Sequence, residues 1–376
     1  MLPAKEQFSG CLIGQCLGDA LGAPLEGKDP VSCARYVDGV LRGAEPSAAR
    51  KAAAALFPTS ELPLGQYTDD SQLARELMLS YNARGAFEAQ DYADRLGTLF
   101  RQDRVVRAGR ATQEVGRRIA GGMAYEQAAI LAPSAGNSSA MRAAPIGLFY
   151  YDDAERLIAA AREQSRVTHH DPRCAAGAVA IAGAVALALR PPPIVRERFL
   201  AELAEWVRRI DQSVAFDVYQ LSAWVSLSPE AAATFMVRAR LCPGSSSEWR
   251  GVSSYVVTSV LWSLYCFLRT PEDYLETIYT AIAAGGDVDT TAAMAGAMSG
   301  AHLGLSVLPS AWTPHLTDRG EWGAAELIAA AERCYARKHA ALQPVVAAAA
   351  VQRSVPEVPV KDAPKGSSSS VYSRDR

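Results

Sequence analysis

The chain has little of what marks several large functional classes. It has 5 histidines in 376 residues, and its 7 cysteines are odd in number and scattered. Cys11, Cys16 and Cys33 lack zinc-type spacing and no second pair completes them, so neither a zinc site nor a disulfide framework is indicated. Reduced thiols in a cytoplasmic protein are the simplest account. No charge of one sign dominates: 38 Lys and Arg stand against 40 Asp and Glu, for a net charge of −2. Nucleic acid is therefore not expected as the main partner. Long hydrophobic runs are missing too. The most apolar stretch, 174–189, is shorter than the ~20 residues a membrane span needs, so no membrane is expected. The N-terminal stretch has no uninterrupted apolar core and carries Asp19 and Glu26, unlike a secretory signal. Alternation of period two persists nowhere, which removes the main sign of half-buried strands.

What is present is apolar and helical. Hydrophobic residues make up 49% of the chain, ample for a core. After Asp70, the residues Leu73, Leu77, Met78 and Tyr81 fall on one helical face. Segments 153–165 and 196–210 have helical spacing, 174–189 reads as a tightly packed interior helix, and 253–267 as a buried helix despite its β-branched residues. Small residues at 10, 14, 18 and 22, and again at 296, 300 and 304, allow two core helices to pack closely against neighbours. The expectation is an all-α fold, a single compact orthogonal helical bundle. Breaks fall near 42–66, at Pro133-Ser134-Ala135-Gly136, at Pro191-Pro192-Pro193 and at Cys242-Pro243-Gly244. From about 344 the composition shifts to an Ala run, repeated Pro-Val and a Ser tract, so 1–343 is read as the folded domain and 344–376 as a disordered tail.

Two acidic clusters carry most of the chemistry. Tyr67-Thr68-Asp69-Asp70-Ser71 lies early and Gly285-Gly286-Asp287-Val288-Asp289-Thr290-Thr291 late. Each pairs two carboxylates with hydroxyls at the start of a helical segment. Oxygen donors without nearby His or Cys suit a hard cation such as Mg²⁺ or Mn²⁺. The competing account is capping: Thr68, Asp287 or Asp289 as N-cap, with acids favoured in a first helical turn. Gly285-Gly286 tips the second cluster toward a ligand, because paired glycines let backbone turn sharply and approach closely. Glu26 falls just past the expected end of the first helix near Gly22-Ala23-Pro24, a position suited to facing a cleft. Gly136-Asn137-Ser138-Ser139 exposes backbone N–H groups that favour a phosphate if a helix starts there. Thr168-His169-His170-Asp171-Pro172 precedes the interior helix, and one of its histidines can hydrogen-bond a ligand or serve the fold.

In order, Gly18-Asp19-Ala20-Leu21-Gly22, Tyr67-Thr68-Asp69-Asp70, Gly136-Asn137 with Ala140-Met141-Arg142, Thr168-His169, and Gly286-Asp287 with Asp289-Thr290 resemble the ADP-ribosylglycohydrolase family over about residues 8–340. That family includes the dinitrogenase-reductase-activating glycohydrolases and the ADP-ribosyl-arginine hydrolases. The resemblance implies two Mg²⁺ or Mn²⁺ ions in a central cleft, held by Thr68, Asp69, Asp70, Asp287, Asp289 and Thr290. It implies catalytic work by Glu26 with Asp69 or Asp70, and ADP-ribose held by Glu26, Gly136, Asn137, Ser138, Ser139, Met141 and His169. The expected partner is an ADP-ribosylated protein or small molecule, most readily ADP-ribosyl-arginine. The rival is a non-catalytic ADP-ribose-binding protein of the same fold, whose sign would be loss of the acids; all four are here. Val288, where the family commonly has Thr or a small residue, and Ser138-Ser139, where Gly-Gly or Gly-Ala is usual, depart from the pattern.

Overall fold

A computed structural model describes residues 2–42, 62–238 and 250–340. The chain divides into a compact unit, Met1–Lys338, and a remainder, His339–Arg376. The expected tail and the break at Cys242-Pro243-Gly244 lie outside the described residues, as does most of the break at 42–66. Within the first unit the fold is all-α. Among the described residues β-structure amounts to isolated bridges. No described helix is long and apolar enough to cross a membrane.

Six helices place the site: α1 (Lys5–Gly22), α2 (Asp69–Arg84), α3 (Ser138–Met141), α4 (Pro172–Ala188), α5 (Val256–Arg269) and α6 (Val288–Leu303). The two small-residue helices find each other: α1 lies along α6. A Cβ added at Gly10 would run into the carbonyl of Gly300, at Gly14 into that of Gly296, and at Gly18 into that of Ala292. At Gly22 it would stand 2.6 Å from the Asp289 Cα. Only hydrogen fits in this contact, which is why the sequence repeats small residues every fourth position on both strands of the pairing. The helices are buried nearly all round, so neither shows the one-sided stripe of a surface helix.

The interior helix read at 174–189 is α4, buried from Cys174 to Ala188. Asp171 caps it by accepting from the Arg173 N–H, with Pro172 in the first turn. The 253–267 stretch is α5; burial on every side overrides the strand preference of its valines and aromatics. Helix α2 stops at Gly85, whose φ of 79° is the left-handed cap that glycine adopts without a steric cost.

Candidate active site

The two acidic clusters meet. The start of α2 faces the start of α6, and Glu26, on the turn after α1, joins them. A cleft of about 350 Å³ is lined by Glu26, Asp69, Asp70, Asp287, Asp289 and Thr290. Its far wall is Asn137, Ser138 and Met141. Asp69, Asp70, Asp289 and Thr290 are almost wholly buried, whereas Glu26 is exposed at the rim.

Capping does not account for these acids. Neither Thr68 nor Asp287, the N-cap residues of α2 and α6, makes a side-chain cap bond. The cap of α2 comes instead from Asp19, in the last turn of α1. Its carboxylate accepts from the Thr68 N–H at 3.0 Å to each oxygen and from the Ser71 N–H at 3.1 Å. The Thr68 Oγ1 lies 2.9 Å from Asp19 Oδ1 and 3.1 Å from Asp70 Oδ2. Asp19 belongs to the Gly18–Gly22 motif but was not expected among the site residues; an acid inside a helix of small, apolar residues was the signal in the sequence itself. Gln15 ties the floor together, its Nε2 donating to the carbonyls of Asp70 and Met141.

The electrostatics are those of a site built for positive charge. Burial pushes the pKa of Asp69, Asp70 and Asp289 well above the carboxylate range, and neighbouring acids add to it: Asp19 first for Asp69 and Asp70, Asp287 first for Asp289. Burial raises Glu26 and Asp287 as well, and holds Asp19 at about 6. Asp70 Oδ1 is buried with no hydrogen-bond partner. Its Oδ2 sits between Thr68 Oγ1 and Thr290 Oγ1, at 3.1 and 3.4 Å. Among the described residues no three His, Cys, Asp or Glu side chains are already gathered into a cage that could hold an ion. The all-oxygen donor set, the orphaned Asp70 oxygen and the crowded acids fit a hard divalent cation.

The remaining expected residues divide. Asn137 and Ser138 face the cleft, and the Asn137 Nδ2 donates to Asp287 Oδ2 at 2.7 Å and Ser259 Oγ at 3.0 Å. Met141 lines the same wall. Ser139 turns inward, donating to the Cys174 carbonyl at 2.9 Å. Gly136 and His169 lie behind that wall: a Cβ on Gly136 would stand 3.3 Å from His169 Nε2. His169 is buried, its Nδ1 lies 2.9 Å from Thr168 Oγ1 and its Nε2 has no partner. Burial, aided by the Arg142 charge, lowers its pKa to about 4. It borders a separate hollow with Arg162, Arg166 and His170. Val288 points into the core, away from the cleft. Arg107, Gly109, Val252 and Ser254 also line the cleft, with Gly27 and Gly286. The first four were not singled out. Nothing local in the sequence pointed to these four, which reach the cleft from loops distant in the chain.

The family model of ADP-ribosylglycohydrolase matches residues 2–343. The chain belongs to the ADP-ribosylglycohydrolase family. A relative from Mus musculus, ADP-ribosylhydrolase ARH3, is 31% identical over 331 residues, covering 81% of this chain and 86% of that protein. The ADP-ribosyl-[dinitrogen reductase] glycohydrolase of Rhodospirillum rubrum is 24% identical, with 82% and 89% covered. A solved structure described as an ADP-ribosylglycohydrolase-related protein complex matches with a TM-score of 0.60 at 28% identity, covering 89% of this chain and 98% of that one. The all-α expectation and the family resemblance both hold.

Proposed function

We propose that this ADP-ribosylglycohydrolase family member is a metal-dependent hydrolase that removes ADP-ribose from a modified target. The observation that carries the reading is the meeting of Asp69 and Asp70 with Asp287 and Asp289 around one cleft, with Glu26 at its rim. Thr68, Asp69, Asp70, Asp287, Asp289 and Thr290 would hold two Mg²⁺ or Mn²⁺ ions. Such ions supply Lewis acidity and a template for a ribose diol and a water. The chain does the rest. Asn137 holds Asp287 in place, and Asp19 holds the first turn of α2. Glu26, raised in pKa by burial and by Asp287, can take the proton of an attacking water at a carboxylate oxygen or give one to the leaving group. Met141, Ser138 and Asn137 offer the wall against which the ribose would lie. A reducing, cytoplasmic location goes with this reading, supported by six buried free thiols among the described residues.

For the linkage, ADP-ribosyl-arginine is supported by Glu26, a carboxylate at the rim able to pair with a guanidinium. A second reading, another ADP-ribose linkage such as that to serine, is favoured by Arg107, whose Nη1 already stands 3.8 Å from Glu26 Oε2. The test is release of ADP-ribose from arginine-, serine- and nucleic-acid-linked substrates, with and without divalent cation. Metal-dependent release from at least one, lost in Asp289→Asn and strongly slowed in Glu26→Gln, is expected. ADP-ribose binding without release from any of them would make the chain a binding protein of the same fold.

A further inference from the structure

Arg107 is the one positively charged side chain among the described residues lining the acidic cleft, and it is not free to leave. Its backbone sits at φ 55°, a left-handed conformation that costs a non-glycine residue on the order of 1 kcal/mol or more and persists only where surroundings enforce it. The enforcement is visible. The residue before it is pinned to the first turn of α2 from both sides: the Asp69 N–H donates to the Val106 carbonyl, and the Val106 N–H donates to Gln72 Oε1, each at 2.9 Å. From that anchor the guanidinium reaches across to the turn after α1, where Nη1 donates to the Ala23 carbonyl at 2.5 Å and stands 3.8 Å from Glu26 Oε2. A fixed cation thus shares the rim with Glu26, the exposed carboxylate of the cleft.

We infer that Arg107 is a specificity-determining residue that biases the site against positively charged leaving groups and toward neutral ones. The inference rests on the hydrolase reading above and refines it. A departing guanidinium would have to share Glu26 with Arg107 and sit beside a like charge. A serine leaving group also calls on Glu26, for the proton its oxygen takes up, but brings no positive charge to stand beside Arg107. Anchoring matters here, since an arginine on a loose rim would swing away at little cost. The Arg107 side chain is 31% exposed and that of Glu26 43%, so solvent and salt screen much of the repulsion. The remaining bias is about two- to fivefold in relative preference.

The full-length chain with Mg²⁺ is assayed for kcat/KM on matched ADP-ribosyl-arginine and ADP-ribosyl-serine peptides, as wild type, Arg107→Ala and Arg107→Lys. Whichever linkage the wild type prefers, the arginine-to-serine ratio should rise about two- to fivefold in Arg107→Ala and return most of the way in Arg107→Lys. Free ADP-ribose should bind both variants within twofold of wild type. Equal loss on both peptides would reduce Arg107 to holding the turn, and weakened ADP-ribose binding with an unchanged ratio would place it on the diphosphate; either overturns the inference. Absence of turnover of both peptides by the wild type would sink the hydrolase reading instead. The charge argument is then decided by methylguanidine binding to ADP-ribose-saturated protein: tighter binding to Arg107→Ala upholds it, and equal binding refutes it.

Discussion

Neutralising Asp19 isolates the cost of placing charge under this site. Its side chain has no solvent exposure, and burial outweighs the hydrogen bonds from Ser71 and Thr68 to hold its pKa near 6, against an ordinary value of 3.8. The folded chain therefore keeps the proton more tightly than the unfolded chain does. The associated stability is fully present below pH 3.8 and is lost as pH climbs through about 6. Between pH 4.5 and 7 roughly 1.5 units of that span are crossed, which at 1.36 kcal/mol per unit is about 2 kcal/mol. Asp19→Asn keeps an amide oxygen for the Thr68 and Ser71 N–H groups but does not ionise. Measured by urea unfolding in chelator at both pH values, the variant should gain about 2 kcal/mol relative to wild type on going from pH 4.5 to 7. Saturating Mg²⁺ should shrink the effect, since bound cation offsets the charge that the proton otherwise removes. A stability difference that does not change with pH, or changes with the opposite sign, would refute the account of Asp19 as a buried acid working against its own ionisation.

Gly14→Val should destabilise the fold by about 3 kcal/mol, because its side chain has only the Gly296 backbone to meet; chemical denaturation gives the value. Asn137→Ala removes the donor to Asp287 Oδ2, and calorimetric titration with Mn²⁺ should show metal affinity weakened 10- to 100-fold, the usual effect of losing a group that orients a ligand. Ser139→Ala should cost about 1 kcal/mol for the hydrogen bond to Cys174 and leave ADP-ribose affinity within twofold; a clear loss of affinity would return Ser139 to the ligand wall.

The parts of this molecule that sequence revealed are those whose cause is local or periodic. Gly10, Gly14, Gly18 and Gly22 repeat at the helical period because a whole helix face must stay bare, so close packing was legible without knowing the partner. Leu73, Leu77 and Met78 gave α2 for the same reason. The acids stood out because paired carboxylates opening an apolar helix need explaining. What stayed hidden depends on chain segments meeting. Thr68 looked like a cap because its neighbours in sequence make it one, whereas the bond is made by Asp19, 49 positions away. Arg107 is unremarkable in sequence, and only the pinning of Val106 gives it a place. Ser139 shares its motif with Asn137, but two residues, little more than half a helical turn, point its hydroxyl the other way.

Because α1 and α6 touch backbone to backbone, the spacing of the site's two halves is set by main chain rather than by side chains that can repack. The pairing acts as a ruler whose divisions are single residues. One residue inserted into α1 after Gly18 would turn everything beyond it by about 100° and advance it by about 1.5 Å, carrying Asp19 away from Thr68 and Glu26 away from the rim. Substitutions elsewhere in the core can be absorbed by neighbours, but a length change here has no neighbour to absorb it. Insertions and deletions should therefore gather in the loops and outer helices and be absent between Gly10 and Glu26.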